Sequence, residues 1–334
     1  MKVTGDTMGT EENITFDISI LIPLFNEEEN VSYLTEELLR FVRSYPALTF
    51  EVIFIDDGST DRTVDALAQR CVQWPLPSSI IRLSKNFGSH AALRAGTLHA
   101  SGRRITFMYA DLQDPPELIG QMLERSQAGY DIVWGVRRTY NPGVIEKCFS
   151  MLYHGLMTRY VSRGYPKKGF DVVLFTRKVA GWLNRNQEAN SSIFLQIMTL
   201  GFKQCFVEYD KRKRQYGTSK WTLSKKIKLF VDSFVAFSYA PIRMVSVMGI
   251  LFFFGGLIWS LYVVLRELLV GDMPSGWPTL MAVLLLGLGV TNIGMGILAE
   301  YLWRTLDAVR GRPVFIIEDI RTFPVTEQPP SPAE

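Results

Sequence analysis

The run Tyr109-Ala110-Asp111-Leu112-Gln113-Asp114-Pro115-Pro116-Glu117 follows the apolar stretch Ile105–Met108. Asp111 and Gln113 offer a carboxylate and an amide oxygen two positions apart. A hard divalent cation such as Mg2+ or Mn2+ takes oxygen ligands and fills its remaining positions from phosphate and water. Held there, it would neutralise a leaving diphosphate. The same run could instead be an acidic turn that caps the next helix. A second apolar stretch, Ile53-Phe54-Ile55, ends in Asp56-Asp57-Gly58-Ser59-Thr60. Its plainer reading is a strand–turn–helix with aspartate as the cap. A third, Ile18–Leu24, contains Ile22-Pro23 and leads into Phe25-Asn26-Glu27-Glu28. Three apolar runs closing on polar clusters point to one shared cleft.

The elements that must position these groups follow from hydrophobic pattern. Strands are expected at Ile18–Leu24, Val52–Ile55, Ile80–Leu83, Ile105–Tyr109 and Ile132–Trp134, with helices at Glu27–Val42, Asp61–Val72, His90–Ala100 and Pro116–Gln127. Short apolar strands alternating with helices predict an α/β fold with a buried, mostly parallel sheet. Open sheets of this kind bind ligands at the carboxyl ends of their strands, where the three clusters lie. Ser59 and Thr60 are expected to cap the helix after Gly58, and Pro115-Pro116 suit the first turn of the next. Neither GxGxxG nor GxxxxGK[ST] occurs, which argues against Rossmann dinucleotide and P-loop sites.

The 334 residues are 47% hydrophobic and 21% charged, with a net charge of +3 that by itself does not suggest a nucleic-acid partner. Cys71, Cys148 and Cys205 are scattered, which fits a reducing compartment. His90, His99 and His154 show no metal-ligand spacing. Residues 1–17 lack the apolar core of a signal peptide. Two long apolar runs, Met244–Leu265 and Thr279–Leu298, approach the ~20 residues that cross a hydrocarbon core. Lys211, Arg212, Lys213, Arg214, Lys220, Lys225, Lys226 and Lys228 precede the first, and Arg304, Arg310 and Arg312 follow the second. The loop Glu267–Pro278 holds no lysine or arginine and has two acidic residues, Glu267 and Asp272. The positive-inside rule then places both flanks in the cytoplasm. Thr222–Val235 is amphipathic and is expected to lie in the membrane interface. The expected organisation is an extension (1–16), an α/β domain (17–210), a basic and amphipathic juxtamembrane region (211–243), two membrane helices (244–304) and a cytoplasmic tail (305–334).

Taken in order, these features resemble the polyprenyl-phosphate glycosyltransferases of glycosyltransferase family 2, which include dolichol-phosphate mannose synthases and bactoprenol glucosyltransferases. The carriers are Pro23 with Asn26-Glu27, Asp56-Asp57-Gly58-Ser59, Lys85-Asn86-Phe87-Gly88, Ala110–Glu117, Gly169-Phe170-Asp171, the basic stretch Tyr209–Trp221, and Glu300-Tyr301 before Arg312-Pro313. The resemblance implies a GT-A fold and an inverting transfer with no covalent sugar–enzyme intermediate. It matches Pro23, Glu27, Asp57 and Lys85 to donor-binding positions, Asp111 and Gln113 to the metal and diphosphate, and Asp171 to the catalytic carboxylate. Many members carry aspartate where this chain has Tyr109, which removes one possible metal contact.

A phosphate acceptor is already ionised near neutral pH, with a second pKa near ~6, so Asp171 need not be a strong base and could orient the acceptor instead. Arg212, Arg214 and Lys220 suit a clamp on its phosphate, since guanidinium forks fit phosphate and lysine adds a point charge. The same cations also serve as a topogenic run. The expected activity is transfer from a nucleotide-sugar, by default UDP-glucose, to a polyprenyl phosphate, by default undecaprenyl phosphate, at the cytoplasmic membrane. A homo-oligomer is implied by the resemblance, with a tetramer as the suggested form. Two alternatives are a catalytically silent sugar-nucleotide-binding scaffold and a polysaccharide synthase. The second usually carries Q-x-x-R-W, which is absent here.

Overall fold

In a computed structural model of the chain, the described residues are 14–138, 151, 154–155, 157–159, 165–166, 169–186, 191–212, 240–270 and 276–324. They divide into an α/β unit, Met1–Leu229 with Pro313–Glu334, and a helical unit, Phe230–Arg312.

Four strands form the parallel heart of the α/β unit: β1 (Phe16–Leu24), β2 (Phe50–Asp56), β3 (Ser78–Leu83) and β4 (Gly102–Phe107). β1 is flanked by β2 and β4, and β3 lies beyond β2, all parallel. β5 (Ile132–Arg137), β6 (Phe170–Thr176), β7 (Gln204–Tyr209) and β8 (Ile317–Phe323) complete an eight-stranded sheet in the order β7-β5-β6-β4-β1-β2-β3-β8. β6 runs antiparallel between β4 and β5, and β8 runs antiparallel on β3. β2 is buried at every position, as expected of a strand covered on both faces.

The helices supply those covers. α1 (Val31–Arg43), α2 (Thr63–Val72) and α4 (Glu117–Gln127) pack one face through Leu34, Leu38, Leu67 and Met122. α3 (Ser89–His99), α5 (Arg177–Arg185) and α6 (Ile193–Thr199) pack the other through Ala92, Leu93, Val179 and Ile197. Alternate β1 residues serve the two cores, Ile20 and Ile22 on one side and Leu21 on the other, because successive side chains of a strand point to opposite faces.

Two local expectations are corrected. Glu27 precedes a short 3-10 turn (Glu28–Asn30) rather than starting α1. Ser59 and Thr60 do not cap α2, which begins at Thr63, where Asp61 accepts from the Thr63 N–H at 3.0 Å. Ser59 and Thr60 are instead taken up by the loop after β1. The Asn26 N–H donates to Ser59 Oγ (2.9 Å), and the Thr60 N–H donates to Asn26 Oδ1 (2.8 Å).

The helical unit contains α7 (Ala240–Val270, 31 residues) and α8 (Trp277–Arg310, 34 residues). A Cβ on Gly294 of α8 would lie 2.9 Å from Val245 Cγ1 of α7, so this glycine permits the two helices to approach. Among the described residues no helix is long and apolar enough to cross a membrane. Ile250, Leu251, Ile258 and Leu261 of α7 and Leu280, Leu286, Ile293 and Met295 of α8 are nonetheless all largely exposed.

Candidate active site

The carboxyl end of β2 carries the most tightly held group. Asp57 is 3% exposed, and its carboxylate accepts the backbone N–H of Phe87 (2.7 Å) and of Gly88 (2.8 Å). Burial raises its pKa to about 6; the two amide bonds oppose that shift and the neighbouring Asp56 adds to it. Asp57 therefore ties the loop after β3 to the end of β2. Gly58 completes this junction. It sits at φ +70, and a Cβ there would lie 2.5 Å from the Lys85 carbonyl carbon. Only glycine permits both the left-handed backbone and this approach.

Asp56 is fully buried, and burial raises its pKa as well. It accepts the Ser59 N–H (3.2 Å), and Arg82 Nε lies 3.8 Å away. Arg82 also faces Glu318 of β8 at 3.4 Å. Pro23 pairs with Ile55 inside the sheet. Asn26 follows β1 at φ 52, a left-handed conformation that asparagine tolerates. Glu27 accepts from Asn30 Nδ2 (2.5 Å), and its own N–H donates to Thr63 Oγ1 (2.9 Å). Lys85 is exposed, with Nζ 5.0 Å from the Phe87 ring centroid. Pro23, Glu27, Asp57 and Lys85 thus meet at adjoining strand ends.

The run after β4 forms a turn at the same edge. Leu112 is left-handed (φ 48), and the Gln113 N–H donates to Asp111 Oδ1 at 3.3 Å. Asp111 and Gln113 are half-buried, whereas Asp114 is buried. Among the described residues no group of three or more His, Cys, Asp or Glu side chains could hold a metal ion unaided. One carboxylate and one amide oxygen do fit a hard cation that draws its other ligands from a diphosphate and water, the usual way Mg2+ is held beside phosphates. Tyr109 is half-buried against the core formed with α3.

Asp171 lies in β6, and its side chain falls outside the described residues. The β4–β6 register pairs Ile105 with Phe175 and Thr106 with Leu174. Asp171 itself falls between Phe170 and Val172, where the pairing with β5 shifts register. Arg214, Lys220 and the amphipathic segment Thr222–Val235 lie outside the described residues. Arg212 is described, and its guanidinium is shared between Glu117 (3.0 Å) and Glu37 (3.5 Å). Sequence reasoning missed the backbone amides of Phe87 and Gly88 and the partners of Arg82. No local pattern marks contacts made across such long stretches of chain.

Residues 19–181 match the profile of Glycosyl transferase family 2. The uncharacterized glycosyltransferase YkcC of Bacillus subtilis is 33% identical over 301 residues, 90% of this chain and 93% of that protein. The chain belongs to glycosyltransferase family 2. Among its other relatives in the family is the undecaprenyl-phosphate 4-deoxy-4-formamido-L-arabinose transferase of Pectobacterium atrosepticum, 30% identical over 306 residues, 90% of this chain and 93% of the relative. A similar solved structure is glucosyl-3-phosphoglycerate synthase from Mycobacterium tuberculosis with Mn2+ and UDP. It shows 16% identity and a TM-score of 0.48, covering 66% of this chain and 78% of that one. Membership makes the protein a glycosyltransferase and its mostly parallel α/β sheet a GT-A domain. The Asp57 junction and the Asp111 turn both lie within the matched residues.

Proposed function

We propose that this glycosyltransferase moves a sugar from a nucleotide-sugar to a polyprenyl phosphate at the cytoplasmic face of a membrane. The observation that carries the reading is the convergence of Glu27, Asp57, Lys85, Asp111 and Gln113 at one sheet edge in a chain whose relatives include a transferase named for undecaprenyl phosphate. Asp57 and Glu27 hold the nucleoside, with Pro23 and Lys85 lining the same end. Asp111 and Gln113 hold a divalent cation, Mg2+ or Mn2+, which supplies charge neutralisation for the departing diphosphate. The catalytic carboxylate is Asp171. Because a phosphate acceptor arrives ionised, Asp171 orients it or stabilises positive charge developing on the sugar rather than stripping a proton. Arg212, Arg214 and Lys220 grip the acceptor phosphate. For Arg212 this means exchanging Glu37 and Glu117 for phosphate oxygens.

The membrane assignment rests on two kinds of support. Met244–Leu265 and Thr279–Leu298 contain no charged residue. Each of these sequence runs approaches the ~20 residues that cross a hydrocarbon core. The large apolar side chains exposed on α7 and α8, among them Leu251, Ile258, Leu286 and Met295, suit lipid rather than water. In addition, β8 follows α8 in the chain yet belongs to the same sheet as β1. The chain therefore leaves and rejoins one domain, which accords with an even number of crossings and with both flanks in the cytoplasm.

UDP-glucose and undecaprenyl phosphate are the default substrates, with 4-deoxy-4-formamido-L-arabinose as the sugar suggested by the Pectobacterium relative. The test is a transfer assay on full-length protein with Mn2+, undecaprenyl phosphate and a panel of nucleotide-sugars that includes both donors. Asp111→Asn serves as the control. The expected result is product with at least one donor, and a loss of roughly 100-fold or more in Asp111→Asn, the scale seen when one transition-state charge contact is removed. Donor binding without transfer by any donor would favour the silent scaffold. A polymeric product would favour the polysaccharide synthase.

A further inference from the structure

The acidic turn is held from outside by the strand that leads into the basic stretch. β7 ends at Tyr209, beside β5. The Tyr209 hydroxyl donates to Asp114 Oδ1, and Lys211 Nζ lies 3.6 Å from the same oxygen. Tyr209 and Asp114 are both buried, at 5% and 3% exposure. The Arg212 N–H donates to the Gln113 carbonyl at 2.7 Å, so consecutive residues of the basic stretch meet consecutive residues of the turn. β5 joins the same knot, since the Arg138 N–H donates to the Tyr209 carbonyl (2.7 Å) and Arg138 Nη1 donates to Asp210 Oδ2 (2.9 Å).

The turn needs this outside support. A left-handed leucine costs ~1–2 kcal/mol relative to its ordinary conformations. Asp111 and Gln113 stand on either side of that leucine, so their spacing depends on what fixes the residues around it. A buried carboxylate is also costly unless it is hydrogen-bonded and charge-compensated. Tyr209 supplies a hydrogen bond and Lys211 a nearby positive charge to Asp114 Oδ1, and each comes from β7 or the residues just after it.

We infer that Asp114 is a positioning residue, fixed by Tyr209 and Lys211, that sets the turn from which Asp111 and Gln113 meet the cation. The inference rests on the proposed donor site and assigns to its support a group that contributes no ligand. Partners of this outer kind govern metal affinity because they orient the groups that do coordinate.

The test is Mn2+ binding to the full-length protein in lipid nanodiscs, titrated by electron paramagnetic resonance with saturating UDP. Thermal unfolding is followed on the same samples. Tyr209→Phe removes a single oxygen and is the main variant; Lys211→Met and Asp114→Asn complete the set. The expected result for Tyr209→Phe is roughly tenfold weaker Mn2+ binding, with the unfolding temperature close to wild type. Lys211→Met should shift Mn2+ binding in the same direction. If Asp114→Asn fails to fold, Tyr209→Phe still decides. Wild-type Mn2+ affinity in both Tyr209→Phe and Lys211→Met, whatever their stability, overturns the positioning role. Wild-type protein that takes up no Mn2+ with UDP overturns the donor site itself, and this inference with it.

Discussion

The two corners of the active edge are held by different forces. At the donor corner, carboxylates are buried and accept backbone amides: Asp57 from Phe87 and Gly88, Asp56 from Ser59. At the corner near the basic stretch, side chains hold side chains: Asp114 with Tyr209 and Lys211, Arg212 with Glu117 and Glu37. Backbone amides cannot swing away without moving the chain, so the first corner is preorganised for its ligand. The Asp114 contacts are buried, but the Arg212 pair with Glu117 is partly exposed; such pairs contribute little each and exchange readily, so Arg212 can trade a carboxylate for a phosphate. On the proposed assignment, a rigid grip on the donor lies beside an exchangeable grip on the acceptor phosphate.

The largest expected effect breaks the rigid corner. Gly58→Ala puts a side chain at φ +70 and against the Lys85 carbonyl carbon. It should lower stability by about 2 kcal/mol or more and weaken donor binding along with it, since the 85–88 loop must shift. Thermal melts and a donor titration check both; a wild-type melt would show that the junction yields easily.

Next comes pH. The pKa of Asp57 is raised from 3.8 to about 6 by burial. Its effect on stability is therefore most favourable at low pH and is lost as pH rises through about 6. Donor binding should run the opposite way if the charged carboxylate accepts from the nucleoside. Affinity should fall below about pH 6, by up to ~10-fold per unit for a single proton, and Asp57→Asn should flatten the profile. A donor Kd in wild type that stays level from pH 5 to 8 would reduce Asp57 to a loop tether.

The smallest effect sharpens the exchangeable corner. Arg212→Lys keeps the charge but loses the planar fork. It should raise the KM for polyprenyl phosphate by roughly two- to fivefold while leaving donor affinity unchanged. Steady-state kinetics with varied acceptor would show it. Unchanged acceptor KM in both Arg212→Lys and Arg214→Lys would leave those cations a topogenic role.

β1 to β5 were legible as short apolar runs, and β1, β2 and β4 each led into a polar cluster. The convergence of their polar ends followed from the rule for parallel sheets. Less could be read on the other side. β6 and β7 are inserted by pairing, antiparallel and parallel, with strands far away in sequence, and apolar runs do not declare their neighbours. β8, Ile-Glu-Asp-Ile-Arg-Thr-Phe, has five exposed positions of seven and lacks the apolar run that marked the inner strands. The bond between Tyr209 and Asp114 leaves no mark in sequence, because 95 residues separate its ends. Ser59 and Thr60 misled because a cap signal and a loop-bridging signal use the same hydroxyl groups.

The place of β8 also orders events during synthesis. β3 and β8 are separated by about 230 residues of chain, roughly ten to fifty seconds of translation at ~5–20 residues per second. Until then the edge of β3 shows a bare row of amides and carbonyls, the kind of edge that recruits foreign strands. A chain released after Arg310 would carry Glu27, Asp57 and Lys85 yet keep that edge open. Closure of the sheet thus reports that the ribosome has already made both long helices.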